Sequence, residues 1–368
     1  MREIAVTGCW STLDPGEAAA LPAVRQVVPN LEKDALVSGL LEITLPDFDR
    51  EPVDSLPVDR LPVSRQRVPG ARQRTRAFIK VQDGCNNQCA FCVTTLARGS
   101  SRSRTIPAVL ADIRQSGDAQ EIVLTGVHLG SWGQDFALAS HLSHLVEAIL
   151  HETSVPRLRL SSLEPWDLQP GFFQLWQDPR LCRHLHLPLQ SGCATTLRRM
   201  RRKTTPESYA TLVAAARSAI PSVAITTDII AGFPGESEAE FQESLTFVRQ
   251  IGFAGGHVFT YSARPGTPAA SLPDQVPHTL RKERNARMRL VFAEAAQAYR
   301  STFIGQVLPV LWESASGPGA QGWQMSGLTG NYLRVNAQSP RSLWNQITHV
   351  QLAELTADGL FGQIQPLE

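Results

Sequence analysis

No apolar run in this 368-residue chain approaches membrane-spanning length, and MREIAVTGCW at its start lacks the charged, apolar and small-residue sections of a leader peptide. Those two absences predict a cytoplasmic protein with no membrane partner. Cysteine is scarce, six residues in all, and in a reducing compartment an even count is no argument for disulfides. A large excess of charge is missing too: the net charge is +1, which excludes a uniformly polybasic nucleic-acid binder. Lysine occurs only four times among the 35 basic residues, a bias that suits a GC-rich genome. What is present is an ordinary globular share of hydrophobic residues, 42%, enough for two or three domains.

The small net charge hides local asymmetry. Between Asp59 and Arg76 six arginines (Arg60, Arg65, Arg67, Arg72, Arg74 and Arg76) face one acid, and RRMRRK, Arg198 to Lys203, sets five cations in six residues. Arginine pairs bidentately with phosphate, so each cluster reads either as an RNA contact or as a solvated face.

Half of the cysteines fall within eight residues. Cys85, Cys89 and Cys92 form a Cys-x-x-x-Cys-x-x-Cys array in CNNQCAFC, and thiolates this close normally share a metal. A zinc knuckle would want a fourth Cys or His nearby, and His128 lies a whole helix and strand away in sequence. A ferredoxin loop would want closer spacing and a fourth Cys. Three thiolates on one cubane leave an iron without a protein ligand, and an open metal position is where substrate chemistry takes place.

From Ala77, strand-like runs AFIKV, EIVLTGV, RLRLSSL, HLHLPL, VAITTDII and GHVFTYS alternate with helical stretches at βα spacing. Six such units predict an α/β fold, a partial TIM-like barrel of parallel strands with its polar, glycine-rich loops gathered at one rim. The cysteine loop follows the first strand and so belongs to that rim. Ahead of the barrel, residues 1 to 70 read as an α/β fragment and linker: strand IAVTGCW, a helix opened by Asp14 and Pro15, strand VRQVVP, an apolar helical stretch near Ala35 to Leu41, and a proline-rich segment. Residues 71 to 303 form the barrel domain, ending in a helix that packs an apolar stripe and exposes basic residues. Residues 304 to 368 alternate with period two between glycine turns, a small antiparallel β-barrel.

CNNQCAFC resembles the cluster loop of the radical S-adenosylmethionine (SAM) enzymes. With RTRAFIKVQDGC, SSRSR, EIVLTGVHLG, RLRLSSLEPWDL, HLHLPLQSGC, TTDIIAGFPGE and HVFTYSARPGT, the chain is identified as similar to the radical-SAM tRNA methylthiotransferases. Within them it looks most like the branch acting on N6-threonylcarbamoyladenosine beside the anticodon; the isopentenyladenosine and ribosomal-protein branches share the core motifs. The terminal barrel, with GLTGNYLRV, resembles the TRAM domain that holds tRNA. This resemblance implies a 4Fe-4S cluster, SAM, a tRNA anticodon loop presenting an unstacked base, a sulfur source and an electron donor such as flavodoxin or ferredoxin. One SAM would methylate a sulfur held at a second cluster, and another would yield the radical that opens an inert aromatic C–H.

Carried over by position, Cys85, Cys89 and Cys92 would hold the radical cluster, with Phe91 shielding it. Gly126 would approach the SAM amino group, and Ser162 and Glu164 would meet its polar parts, unless they only end a strand and cap a helix. Gly232, Pro234, Gly235 and Glu236 would wall the adenine, or simply form a turn. Arg104 or Arg102 would pair with the SAM carboxylate or with RNA phosphate. Gln190 and Asp228 would line the rim, while Cys182 and Cys193 pack as buried thiols. The resemblance also implies three amino-terminal cysteines for the second cluster, of which Cys9 is the one counterpart, the chain starting just upstream of it; a truncated amino-terminal domain is the expectation, and a non-catalytic RNA-binding remnant the alternative. The terminal barrel carries a net −2, so any RNA contact there rests on Asn331, Tyr332 and Arg334.

Overall fold

The computed structural model describes residues 4–33, 36, 74–169, 171–319 and 322–366. The helical stretch near Ala35 to Leu41 and most of the arginine-rich linker lie outside the described residues.

Two parallel strands, β1 (Ile4–Gly8) and β2 (Val24–Pro29), open the chain. Between them come α1 (Cys9–Leu13) and α2 (Pro15–Ala20), the second capped by Asp14, whose carboxylate accepts the Glu17 N–H at 3.0 Å. Cys9 therefore begins a helix and does not end the strand.

β3 (Arg76–Lys80), the short hairpin arms β4 (Gln82–Asp83) and β5 (Arg102–Ser103), and α3 (Thr94–Arg98) frame the cysteine loop. The chain then alternates through α4 (Ile106–Arg114), β6 (Glu121–Thr125), α5 (Leu142–Glu152), β7 (Arg157–Leu160), β8 (His184–His186), α6 (Ala194–Arg199), α7 (Pro206–Ala219), β9 (Ala224–Ala231), α8 (Glu238–Ile251), β10 (Gly255–Thr260) and α9 (His278–Ser301). The parallel sheets β3-β6-β7 and β8-β9-β10 are linked by single bridges from Leu158 to Leu181 and from Ser162 to His186. The six expected strands thus make one open barrel. Among the described residues, no strand pairs with the outer edges of β3 and β10.

Strand alternation divides the side chains between two environments. Ile79, Ile122, Leu124, Leu158, Leu160, Leu185, Ile225 and Ile229 point outward into one core with the helices. Ile122 and Leu124 are fully buried, and each such side chain contributes about 2 kcal/mol of transfer free energy. The opposite face lines the lumen and is polar, carrying Arg76, Glu121, Arg157, Arg159, His184, His186, Asp228 and His257. The capping boxes Thr205–Ser208 and Ser237–Glu240 start α7 and α8.

After α9, strands β11 (Val307–Gly319), β12 (Gly322–Thr329), β13 (Arg334–Ser339), β14 (Ile347–Leu355) and β15 (Leu360–Ile364) close a barrel in the order β11-β12-β13-β15-β14, filled by Trp312, Val335, Val350, Leu352 and Leu360. It caps the end of the large barrel where the strands begin. Arg157 donates to the carbonyls of Leu328 (3.0 Å) and Pro309 (2.6 Å), and Arg159 to those of Thr329 (3.3 Å) and Gly330 (3.2 Å). Tyr332 stacks on His184 with centroids 4.7 Å apart, and Arg159 lies 4.7 Å over the same ring. Asn331 is buried and donates to the Tyr299 hydroxyl at 3.0 Å. This corrects the reading of Asn331 as an RNA contact, because its amide is spent on the floor of the barrel, while Tyr332 has one face stacked there and remains 44% exposed. Arg334 is exposed as well.

Candidate active site

At the opposite end, the cysteine loop is tied by its neck. Gln82, almost fully buried, donates to the carbonyls of Asp83 (3.0 Å) and Gly84 (2.8 Å) and to Ser101 Oγ (2.9 Å), while its Oε1 accepts the His128 N–H at 2.8 Å. Gly84 at φ +73° lies so close to Ser100 that an added Cβ would stand 1.9 Å from its carbonyl oxygen. Asp83 gathers Arg98 (3.0 Å), Lys33 (3.2 Å) and Lys80 (3.5 Å), fastening the amino-terminal unit and α3 to the same corner.

All three thiols of the loop are free, and each meets a hydrogen-bond donor. Cys85 Sγ accepts the Asn87 N–H (3.4 Å), Cys92 Sγ the Thr94 N–H (3.4 Å), and Cys89 Sγ the Arg202 guanidinium (3.7 Å). Burial pushes the Cys89 thiol up, with Arg202 pulling the other way. Among the described residues, no three His, Cys, Asp or Glu side chains converge on one metal ion. Three thiolates from one short loop suit a cubane cluster, each thiolate on its own iron. Phe91 packs edge-on to Phe233 at 6.5 Å, and Phe233 to Tyr261 at 5.4 Å, in a small core with Ala90 and Met200 that carries the loop from beneath.

Several expected roles change on contact with the structure. Arg104 pairs with Asp112 at 2.6 Å and donates to the Lys80 carbonyl at 3.2 Å, which holds α4 to β3. Arg102 is exposed. Gly126 is required by Gln82, whose Oε1 would stand 3.0 Å from an added Cβ. Ser162 bridges through its backbone to His186 at the end of β7. Glu164 sits at the start of a short 3-10 turn without capping it, and its carboxylate instead forms a two-armed pair with Arg202, at 2.6 and 3.1 Å.

Gly232 and Gly235, with φ of +75° and +74°, bracket a tight turn at Phe233 and Pro234. The Gly232 N–H donates to Glu236 (2.8 Å) and the Gly235 N–H to the Asp274 carbonyl (2.9 Å), so the turn offers a ligand its surface and not these donors. Burial pushes the Glu236 carboxyl up to about 7, against the pull of Arg284, which α9 turns inward to meet it at 3.0 Å. Cys182 is a buried thiol, its pKa pushed up to about 12 by that burial. Cys193 is buried and donates to Glu243. Cys9 stands partly exposed beside Arg98, and belongs to no group of three metal-ligating side chains among the described residues.

Two groups escaped the sequence reading. Arg202, counted there among the RNA-facing cations, is buried: besides Glu164 and Cys89 it donates to the Pro188 carbonyl at 2.6 Å and lies 4.4 Å over the Trp166 ring. Arg199 likewise turns to Glu240 at 2.7 Å, so RRMRRK leaves Arg198, Arg201 and Lys203 for a partner. His128, distant in sequence, is buried beside Cys85 and Asn87, with Nε2 2.5 Å from Asp167 Oδ2. Burial disfavours its charged form, but the Asp167 and Cys85 contacts prevail and lift its pKa to about 9. The signal available in sequence was its place in GVHLG, a loop following a barrel strand.

An open parallel barrel with three free thiols on the loop after its first strand has the design of a radical SAM enzyme, and residues 79–248 match the family model described as the Radical SAM superfamily. The solved structure of the cobalamin-dependent SAM radical enzyme OxsB aligns with a TM-score of 0.50 at 11% identity, covering 80% of this chain and 43% of that one. The chain is 35% identical over 354 residues to the threonylcarbamoyladenosine tRNA methylthiotransferase MtaB of Bacillus subtilis (strain 168), covering 95% of this chain and 78% of the relative. It is 37% identical over 324 residues to the Thermotoga maritima protein of the same name, covering 84% and 71%. To the tRNA-2-methylthio-N(6)-dimethylallyladenosine synthase of Acetivibrio thermocellus it is 34% identical over 292 residues, 78% of this chain and 60% of that one. The chain belongs to the tRNA methylthiotransferase family, whose cofactors are 4Fe-4S clusters and SAM.

Proposed function

We propose that this protein methylthiolates N6-threonylcarbamoyladenosine at C2, beside the anticodon of a tRNA. The observation that supports it most is the 35% identity over 95% of the chain to an enzyme named for that substrate, joined to a thiol loop whose donors suit a cluster. Cys85, Cys89 and Cys92 would hold that cluster at the rim, and the Gly232–Glu236 turn would offer SAM a surface. When bound, the two supply hydrogen abstraction from the inert carbon and, with a sulfur source and a reductant, the methyl and sulfur.

The chain's own groups do the rest. Asn87, Thr94 and Arg202 offer hydrogen bonds that favour thiolate over thiol. Phe91, Phe233 and Tyr261 exclude water beneath the loop, which protects a reactive species from quenching. The Arg202–Glu164 pair fixes the floor of the rim. Arg198, Arg201 and Lys203 supply local positive charge for the RNA backbone.

The test is anaerobic reconstitution with iron and sulfide, followed by reduction with SAM, excess sulfide as the sulfur source and an anticodon stem-loop carrying the threonylcarbamoyl base. About four irons per chain, 5′-deoxyadenosine and a 2-methylthio nucleoside are the expected products. Iron-free chain without SAM cleavage overturns the proposal. Methylthiolation of an isopentenyladenosine stem-loop alone moves the enzyme to the other tRNA branch.

A further inference from the structure

The lumen holds a row of polar side chains that the cluster site does not use. Asp228, on β9, takes two imidazoles: His257 Nδ1 at 3.1 Å from Oδ1 and His186 Nε2 at 3.3 Å from Oδ2. Thr226 Oγ1 lies 3.0 Å from His186 Nδ1 and 2.9 Å from His184 Nε2. His184 closes the row against the floor, stacked on Tyr332.

With one hydrogen on each imidazole, the geometry of the row allows one consistent set of hydrogen-bond directions. The two histidine contacts hold the Asp228 carboxyl below its usual value in spite of burial, and a carboxylate only accepts. His257 Nδ1 and His186 Nε2 therefore both carry hydrogen. In the tautomer with its hydrogen on Nε2, His186 has a lone pair on Nδ1, and the single Thr226 hydroxyl hydrogen then points to it. Thr226 Oγ1 in turn accepts from His184 Nε2–H, and burial holds His184 neutral. That leaves the Nδ1 lone pair of His184 without a partner, as observed.

One end of the row remains. With its hydrogen on Nδ1 toward Asp228, His257 has an Nε2 lone pair, and its side chain is 73% exposed. On β10, Val258 packs on the helix side, so His257 and Phe259 face the lumen, their rings 6.3 Å apart. Phe259 is 53% exposed; across the open seam, Phe78 on the other edge strand is 52% exposed. A fixed acceptor beside a bare aromatic face suits a flat ligand carrying one N–H or O–H donor.

We propose that His257 Nε2, its tautomer set by Asp228, accepts a hydrogen bond from the target nucleoside while Phe259 lies against the base, making His257 a specificity residue of the site. This rests on the tRNA reading above. The donor is either the ribose 2′-hydroxyl or the exocyclic N–H.

The test uses reconstituted enzyme at about pH 8.5, well above the ordinary imidazole value, with three stem-loops: the parent, one with 2′-deoxyribose at the target, and one with the exocyclic nitrogen methylated. His257→Phe keeps a ring and removes the acceptor; His257→Gln keeps an acceptor. For the parent RNA, His257→Phe should raise KM about tenfold and increase 5′-deoxyadenosine formed per methylthio product, with His257→Gln recovering most of both. For the analogue lacking the donor, unsubstituted enzyme should show the same rise and His257→Phe no further one, which identifies the donor. Equal losses for His257→Phe on all three RNAs overturn the inference. Failure of the unsubstituted enzyme to modify the parent RNA overturns the tRNA reading itself, and the inference with it.

Discussion

Arg202 joins a cluster thiol, a carboxylate, a carbonyl and an indole in one buried side chain. Removing it strips the half-buried Glu164 of its two-armed partner and the Pro188 carbonyl of its donor, so Arg202→Ala should cost about 3 kcal/mol, read as a lowered denaturant midpoint. Arg202→Lys keeps the charge and loses the fork, so it should recover only part of that stability. Cys89→Ala makes a sharper separation. It should abolish SAM cleavage, measured as 5′-deoxyadenosine, while leaving tRNA affinity within about twofold in a filter-binding titration, because the Cys89 thiol carries none of the positive charge proposed to attract phosphate. Joint loss of cleavage and binding would show that the two surfaces are one. The three cysteines were legible because their spacing is local. Arg202, Gln82 and His128 were not, since each acts through a partner at least 38 residues away, and side-chain direction at such range is set by the fold.

The cysteine loop depends on the hairpin at its neck. Gly84 combines a positive φ with a backbone contact that no side chain fits, so Gly84→Ala should cost about 3 kcal/mol or more, concentrated in this loop. The measurable result is iron: reconstituted Gly84→Ala should bind well under half the iron of the parent while far-UV circular dichroism keeps the barrel's signature. The barrel strands were readable because outward aliphatics such as Ile122 and Leu124 alternate with lumen groups, and helices between them set the period. β4 and β5 were not, at two residues each, too short for any periodicity. α1 was missed for a similar reason: a five-residue helix stands on the contacts of its neighbours more than on propensity.

Across the whole molecule, the carboxy-terminal barrel and the large barrel share a charged seam. Burial alone would raise the Glu121 carboxyl, yet Arg159, with Arg157 and Arg76, outweighs it and holds the group below its usual value. A depressed carboxylate contributes stability above its unfolded value, near pH 4.3, and loses it as pH falls through the folded value. Acid unfolding should therefore steepen below about pH 4.3, and Glu121→Gln should flatten that limb in pH-dependent thermal melts while lowering stability at neutral pH. The small barrel's shape was legible in its glycine-punctuated alternation, but its docking was not, because Tyr332 and Asn331 look like RNA-facing polar residues until their partners are known. That docking has a kinetic consequence. Among the described residues, Arg157, Arg159 and Tyr332 pack across the floor, and the ways left to the cysteine loop are the rim and the open seam. A bulky reductase and a folded RNA then wait at one doorway, so raising either in excess should slow turnover competitively with the other.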